Sequence, residues 1–144
     1  MSLVRDVLAQ KGTDVCKIDQ KKTVLDAATI MNERRIGAVM VMNGDKIAGI
    51  FTERDVLNRV VAKRKDPAAT KIQDVMTTKI ACCEQDTTLE SCRAVMTKNK
   101  IRHLPVVEGG KLVGVISSGD ILAREIQDQE ETIRYLHEYM HGPN

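Results

Sequence analysis

The chain has 144 residues, a length that fits one compact domain, and 42% of them are apolar, enough for a core and against disorder. Only 2% are aromatic (Phe51, Tyr135, Tyr139 and no Trp), so a bound base could not rely on ring stacking, which argues against a single-strand nucleic-acid platform. Net charge is +2, and the one basic run, Lys63-Arg64-Lys65, stands beside Asp66-Pro67 and reads as solvated linker charge rather than a DNA arm.

Along the chain, Leu3, Val4, Val7 and Leu8 have the spacing of a short amphipathic helix, with Gly12 as its stop signal. A strand follows over Val15 to Ile18. Thr23 opens a helix that puts Val24, Ala27, Ala28 and Met31 on one face. Ile36 to Met42 and Lys46 to Phe51 read as strands joined by a tight turn at Asn43-Gly44-Asp45. A second helix runs from Glu53 to about Ala62, and Lys63 to Lys71 is a polar connector containing Pro67.

The same order then returns. Ile72-Gln73-Asp74-Val75-Met76 echoes Val4-Arg5-Asp6-Val7-Leu8. Strand Ile80 to Cys83 is followed by a helix from Thr88 with Leu89, Cys92, Val95 and Met96 on one face, and then by strands Ile101 to Val107 and Lys111 to Ile116 around Glu108-Gly109-Gly110. A last helix starts at Ser118. The repeat is ungapped from Thr23/Thr88 through Gly49/Gly114, and its period of 65 residues describes one module of two homologous halves. Cys16, Cys82, Cys83 and Cys92 form no C-x-x-C pair, and Cys92 reads as buried filler. No signal peptide and no apolar run of membrane-spanning length is present, so we expect reduced thiols and a cytoplasmic protein with no membrane or nucleic-acid partner.

The order β-α-β-β-α, twice, resembles the cystathionine-β-synthase (CBS) domain pair, or Bateman module. The residues that carry the likeness are Ile36-Gly37-Ala38-Val39-Met40-Val41 with Gly49-Ile50-Phe51-Thr52-Glu53-Arg54-Asp55 in the first half. In the second they are Ile101-Arg102-His103-Leu104-Pro105-Val106-Val107 with Gly114-Val115-Ile116-Ser117-Ser118-Gly119-Asp120. The resemblance implies an α+β fold, with residues 1–65 as repeat 1 including the linking helix, 66–124 as repeat 2 and 125–144 as a C-terminal helical extension. It also implies two small sheets packed pseudo-symmetrically, with two nucleotide sites in the cleft between them.

Thr52-x-x-Asp55 and Ser117-x-x-Asp120 stand where a strand becomes a helix, and two readings share their atoms. One is a capping box, in which the hydroxyl accepts from the helix and the acid reaches back. The other is ribose binding, because a carboxylate can accept from two vicinal hydroxyls and the helix start favours phosphate. In CBS pairs that bind adenosine nucleotides, Asp55 and Asp120 match the ribose position. The resemblance further places adenine against Ile36, Gly37, Ala38 and Ile101, Arg102, His103, Pro105, with Lys22 and Thr87 approaching base or ribose. Arg102 and Arg54 are phosphate candidates with planar donor forks. Gly37-Ala38 against Arg102-His103, and Arg54 against Gly119, predict that the two sites differ: one suits AMP, and the other has room for a dinucleotide such as NAD, or for ATP.

His137-Glu138-Tyr139-Met140-His141 matches the H-E-x-x-H zinc signature. A catalytic zinc needs a third protein ligand, and His103 is the only other histidine. Leu122, Ile126, Ile133, Leu136 and Met140 instead form an a/d stripe that reads as a packing or dimerisation helix, and a homodimer is expected. No nucleophile motif and no phosphate loop is present. The expectation is therefore a non-catalytic sensor of adenine nucleotides with no catalytic cofactor and no metal. The alternatives are a scaffold, or an S-adenosylmethionine-binding pair, with a zinc hydrolase as the remote one.

Overall fold

The structure, a computed structural model, describes residues 1–142. It is an α+β chain of two compact units, Asp14–Ile80 and Met1–Thr13 with Ala81 onward. Among the described residues, no helix is long and apolar enough to cross a membrane.

The unit Asp14–Ile80 starts with β1 (Lys17–Asp19), which pairs parallel with β2 (Ala38–Asn43) after the crossover helix α2 (Val24–Arg34). Strand β3 (Lys46–Thr52) returns antiparallel, giving the order β1-β2-β3. The turn sets Gly44 at φ 61, the positive sign that a tight hairpin needs at its first central position. Helix α2 begins where Thr23 and Asp26 cap each other, at 3.1 Å from Asp26 N–H to the Thr23 hydroxyl and 3.0 Å from Thr23 N–H to the carboxylate. Its apolar stripe Val24, Ala27, Met31 buries against Val39, Val41 and Phe51 of the sheet. After β3 the chain makes one α-turn, α3 (Glu53–Asp55), and then widens into a π-helix over Val56–Val61, where the sequence predicts a continuous α-helix. The wider turn buries Val60 completely and leaves Leu57 and Val61 exposed.

The other unit contains α1 (Val4–Lys11), α4 (Leu89–Asn99), the hairpin β4 (His103–Glu108) and β5 (Lys111–Ser117), and α5 (Ser118–His141). The predicted strand over Ile80 to Cys83 is reduced to one parallel bridge, Cys83 to Val106, held by Cys83 N–H to Pro105 O and Val107 N–H to Cys83 O. Its core is Val4, Val7, Leu8, Cys83, Leu89, Cys92, Met96, Leu104, Val106, Ile116 and Ile121. Cys92 is buried as expected, and among the described residues none of the four cysteines is joined in a disulfide.

The repeats in sequence and the units in space are different divisions, because each lead segment packs on the other repeat's sheet. Helix α1 precedes the first repeat in sequence but bonds to the second, through Val4 N–H to Thr87 O and Arg5 N–H to Gln85 O, both at 2.9 Å. The segment after the 3₁₀ turn Ile72–Asp74 precedes the second repeat but pairs with the first, where Ile50 and Thr77 exchange two backbone bonds of 2.9 Å. The equivalent glycines of the two copies make this possible. A Cβ on Gly49 would stand 2.7 Å from the Met76 sulfur and 2.7 Å from the Thr77 carbonyl, and one on Gly114 would stand 2.8 Å from Leu8 Cδ2. At Gly49 the Thr77 backbone leaves no room for a side chain, and at Gly114 the Leu8 side chain would have to turn aside to admit one.

Helix α5 has 24 residues, which at the α-helical rise is about 36 Å. Its first half is fixed by a small network: Ser2 Oγ donates to Asp128 Oδ2 at 2.6 Å, and Arg124 Nε donates to Ser2 Oγ at 2.9 Å and to Asp128 Oδ1 at 3.2 Å. Arg93 of α4 pairs with Glu125. From Glu130 to His141 every residue is exposed, including Ile133, Leu136 and Met140 of the a/d stripe.

Candidate nucleotide site

Both copies build the same corner from the end of the hairpin and the start of the next helix. In the first, Ala38 faces Thr52 across the β2–β3 ladder, and Glu53 N–H donates to Gly37 O at 3.1 Å. In the second, His103 faces Ser117 across β4–β5, and Ser118 N–H donates to Arg102 O at 2.8 Å. Gly37, Ala38, Thr52 and Asp55 therefore come together at one corner, and Arg102, His103, Ser117 and Asp120 at the other.

The capping boxes are present in both. Thr52 N–H donates to Asp55 Oδ2 at 3.0 Å and Asp55 N–H to the Thr52 hydroxyl at 3.3 Å. Ser117 N–H donates to Asp120 Oδ2 at 2.8 Å and Asp120 N–H to the Ser117 hydroxyl at 3.1 Å. Beyond the box the carboxylates differ. Asp55 also accepts from the Thr77 hydroxyl at 3.1 Å on Oδ1 and lies 3.5 Å from Arg59 Nε. Asp120 is met by Lys11 of α1, whose ammonium donates to Oδ2 at 2.7 Å and to Val115 O at 2.8 Å. Burial opposes ionisation of Asp120, but the Lys11 ammonium and the Ser117 amide together outweigh it and hold the carboxyl below its ordinary range.

Ile36 and Gly37 line an open groove between α2 and α3, with Met31, Glu53 and Val56. Ile101 and Arg102 line its counterpart of about 300 Å³ between α4 and α5, with Met96, Ser118 and Ile121. Arg54 is exposed on α3. Lys22 is exposed in the turn before α2, where its carbonyl accepts from Ile72 N–H. The Thr87 hydroxyl accepts from Glu84 N–H at 3.0 Å and so closes the turn before α4. Pro105 is fully buried in β4, and its carbonyl accepts from Cys83 N–H at 3.0 Å. The His137 and His141 rings lie 4.7 Å apart, tilted by 47°, on the exposed end of α5, and among the described residues no group of three metal-ligating side chains is gathered. Sequence reasoning missed Lys11. Its only signal was a basic residue in the last turn of α1, which is ordinary for a helix end.

The comparisons agree with this frame. A CBS-domain protein from Burkholderia ambifaria MC40-6 is 40% identical, with a TM-score of 0.86 over 89% of this chain and 96% of that one. The CBS domain-containing protein CBSX3, mitochondrial, of Arabidopsis thaliana is 31% identical over 150 residues, covering 96% of this chain and 72% of the relative. A CBS domain pair solved in complex with 5′-methylthioadenosine and S-adenosyl-L-methionine shares the fold, with a TM-score of 0.75 at 24% identity over 85% of this chain and 98% of that one. The family model for the CBS domain matches residues 4–62 and 72–126, taking in both lead segments with both hairpin corners, and the chain belongs to the CBS domain family.

Proposed function

We propose that this chain is a non-catalytic regulatory module of the cytoplasm that binds an adenosine nucleotide, AMP first and NAD or ATP as longer ligands, with the Ser117–Asp120 corner as its ribose end. The observation that supports this most directly is the state of Asp120. It is ionised, it is fixed by the capping box and Lys11 through Oδ2 alone, and its Oδ1 accepts no hydrogen bond among the described residues. A fixed carboxylate with one oxygen to spare is an acceptor for a sugar hydroxyl. Arg102 and His103 stand at the same corner as partners for phosphate. The Thr52–Asp55 corner has the same backbone frame, with Lys22 in the turn that precedes α2 of its own unit; Thr87 stands in the turn that precedes α4 of the other.

The exposed stripe of α5 supports a homodimer, since Ile133, Leu136 and Met140 repeat at heptad spacing along a helical segment with no burial of its own. A nucleotide that favours one conformation of the dimer shifts its population, and through a separate partner protein this becomes a regulatory output.

S-adenosylmethionine is the second reading, favoured by the complex solved for the distant pair named above. Its sulfonium charge is disfavoured beside Lys11 and Arg102. Mass spectrometry of small molecules released from the purified protein, followed by calorimetric titration with AMP, ATP, NAD and S-adenosylmethionine, tests the proposal. Micromolar AMP binding with no S-adenosylmethionine binding is expected, and the reverse order would sink it.

A further inference from the structure

The two Asp corners have identical capping boxes and unlike surroundings, and the difference can be read atom by atom. Asp55 is 9% exposed as a side chain and both of its oxygens are engaged. Oδ1 accepts from the Thr77 hydroxyl and faces Arg59, while Oδ2 accepts from Thr52 N–H, the Thr52 hydroxyl at 3.3 Å and the Thr77 hydroxyl at 3.4 Å. Thr77 belongs to the lead segment seated on β3, so these bonds tie that segment to the start of α3. A ribose hydroxyl that reached Asp55 Oδ1 would have to share it with the Thr77 hydroxyl and Arg59 on a side chain that is almost fully covered.

Asp120 is 24% exposed and keeps Oδ1 unengaged among the described residues. Its neighbour Lys11 is 36% exposed and uses two of the three donors of an ammonium, on Asp120 Oδ2 and Val115 O. One acceptor and one donor thus stand side by side at the surface, which is the complement of a vicinal diol whose hydroxyls each donate and accept. The approach is open as well. Position 119 is glycine, where an added Cβ would meet only the Ser117 hydroxyl at 3.6 Å, whereas the corresponding position in the first copy carries the Arg54 side chain. Lys79 has the place in the second lead segment that Lys11 has in the first, and it makes no hydrogen bond or ion pair among the described residues.

We propose that Lys11 and Asp120 together read the ribose diol while Asp55 serves as a structural clip, so that the chain takes one adenosine nucleotide rather than two. This rests on the nucleotide reading given above. Lys11 is then a binding residue contributed by the lead helix α1, and the docking of that helix on β5 is a precondition for ligand recognition.

The test is calorimetry on the full chain with AMP and with 2′,3′-dideoxy-AMP. Wild type should bind one AMP per chain. Asp120→Asn should lose more than about a hundredfold in affinity, and Lys11→Met roughly ten- to a hundredfold, the range of one charge-assisted hydrogen bond. With the dideoxy nucleotide, Lys11→Met and wild type should bind equally, because the diol that Lys11 reads is gone. Thr77→Val, which loosens the clip and leaves Asp55 in place, should lower the melting temperature and leave AMP affinity within twofold. Two equivalents of AMP per chain, or a Lys11→Met penalty that persists with the dideoxy nucleotide, would overturn the inference while leaving nucleotide binding intact. No binding of AMP, ATP or NAD by folded wild type would overturn both.

Discussion

Replacing Gly49 by alanine tests the placement of the lead segments more sharply than any change at the ligand corner. The added methyl would lie 2.7 Å from the Thr77 carbonyl oxygen, and ordinary contact begins at 3.4 Å, so the carbonyl must retreat by about 0.7 Å. That oxygen also accepts from Ile50 N–H at 2.9 Å. A retreat of this size takes the bond out of hydrogen-bonding range. Overpacking costs about 1–3 kcal/mol and the bond about 1 kcal/mol, against a gain of about 0.5–1 kcal/mol from a stiffer unfolded chain. The net expectation is a destabilisation of about 1–3.5 kcal/mol. Gly114→Ala is the internal control. Its methyl meets Leu8 side-chain atoms at 2.8 and 3.2 Å, which can rotate aside, so its cost should stay near 1 kcal/mol. Urea unfolding followed by circular dichroism measures both. Equal costs at the two positions, or a stabilised Gly49→Ala, would refute the docking of residues 76 and 77 on β3.

Three further outcomes are expected. The Asp120 carboxyl is held below its ordinary range in the folded protein, so its share of stability is present above the ordinary value of 3.8 and is lost as pH falls through the lowered one. The stability gap between wild type and Asp120→Asn should therefore be constant from pH 7 to about pH 5 and close as the pH falls past the ordinary carboxylate range and through the lowered one; a gap that widens on acidification contradicts the Lys11 pairing. Truncation after Gln129 spares the Ser2–Arg124–Asp128 network and removes the exposed half of α5, and sedimentation should then show a lower oligomeric order; an unchanged dimer locates the interface elsewhere. In native protein a thiol reagent should modify exposed Cys82 slowly, since burial pushes its thiol up, and should reach Cys83 and Cys92 only on unfolding; rapid labelling of all four cysteines would contradict the burial of the last two.

Much of the fold is legible because its determinants are local. Thr23 and Thr88 start helices at the predicted residues, since each hydroxyl accepts a backbone N–H three positions on. The glycines between β2 and β3, and between β4 and β5, take the positive φ that a two-residue turn demands. Two local readings failed. Val56–Val61 became π-helical although its apolar spacing suits an α-helix, and Ile80 to Cys83 made a single bridge although its composition suits a strand. In the second case, pairing with β4 is satisfied by Cys83 alone, a fact about the partner strand that the segment does not carry.

The sequence by itself determined the duplication, the order of elements within each copy and the two capping boxes, because these rest on side chains within a few positions of one another. Tertiary structure alone decided that each lead segment crosses to the other repeat's sheet, since the required fit is between Leu8 and Gly114 and between Met76 and Gly49, residues far apart or merely apolar in the sequence. It also decided that two identical Ser/Thr-x-x-Asp boxes have unlike carboxylates. Asp55 is sealed by Thr77 and Asp120 is braced by Lys11, and neither neighbour is visible from the box itself.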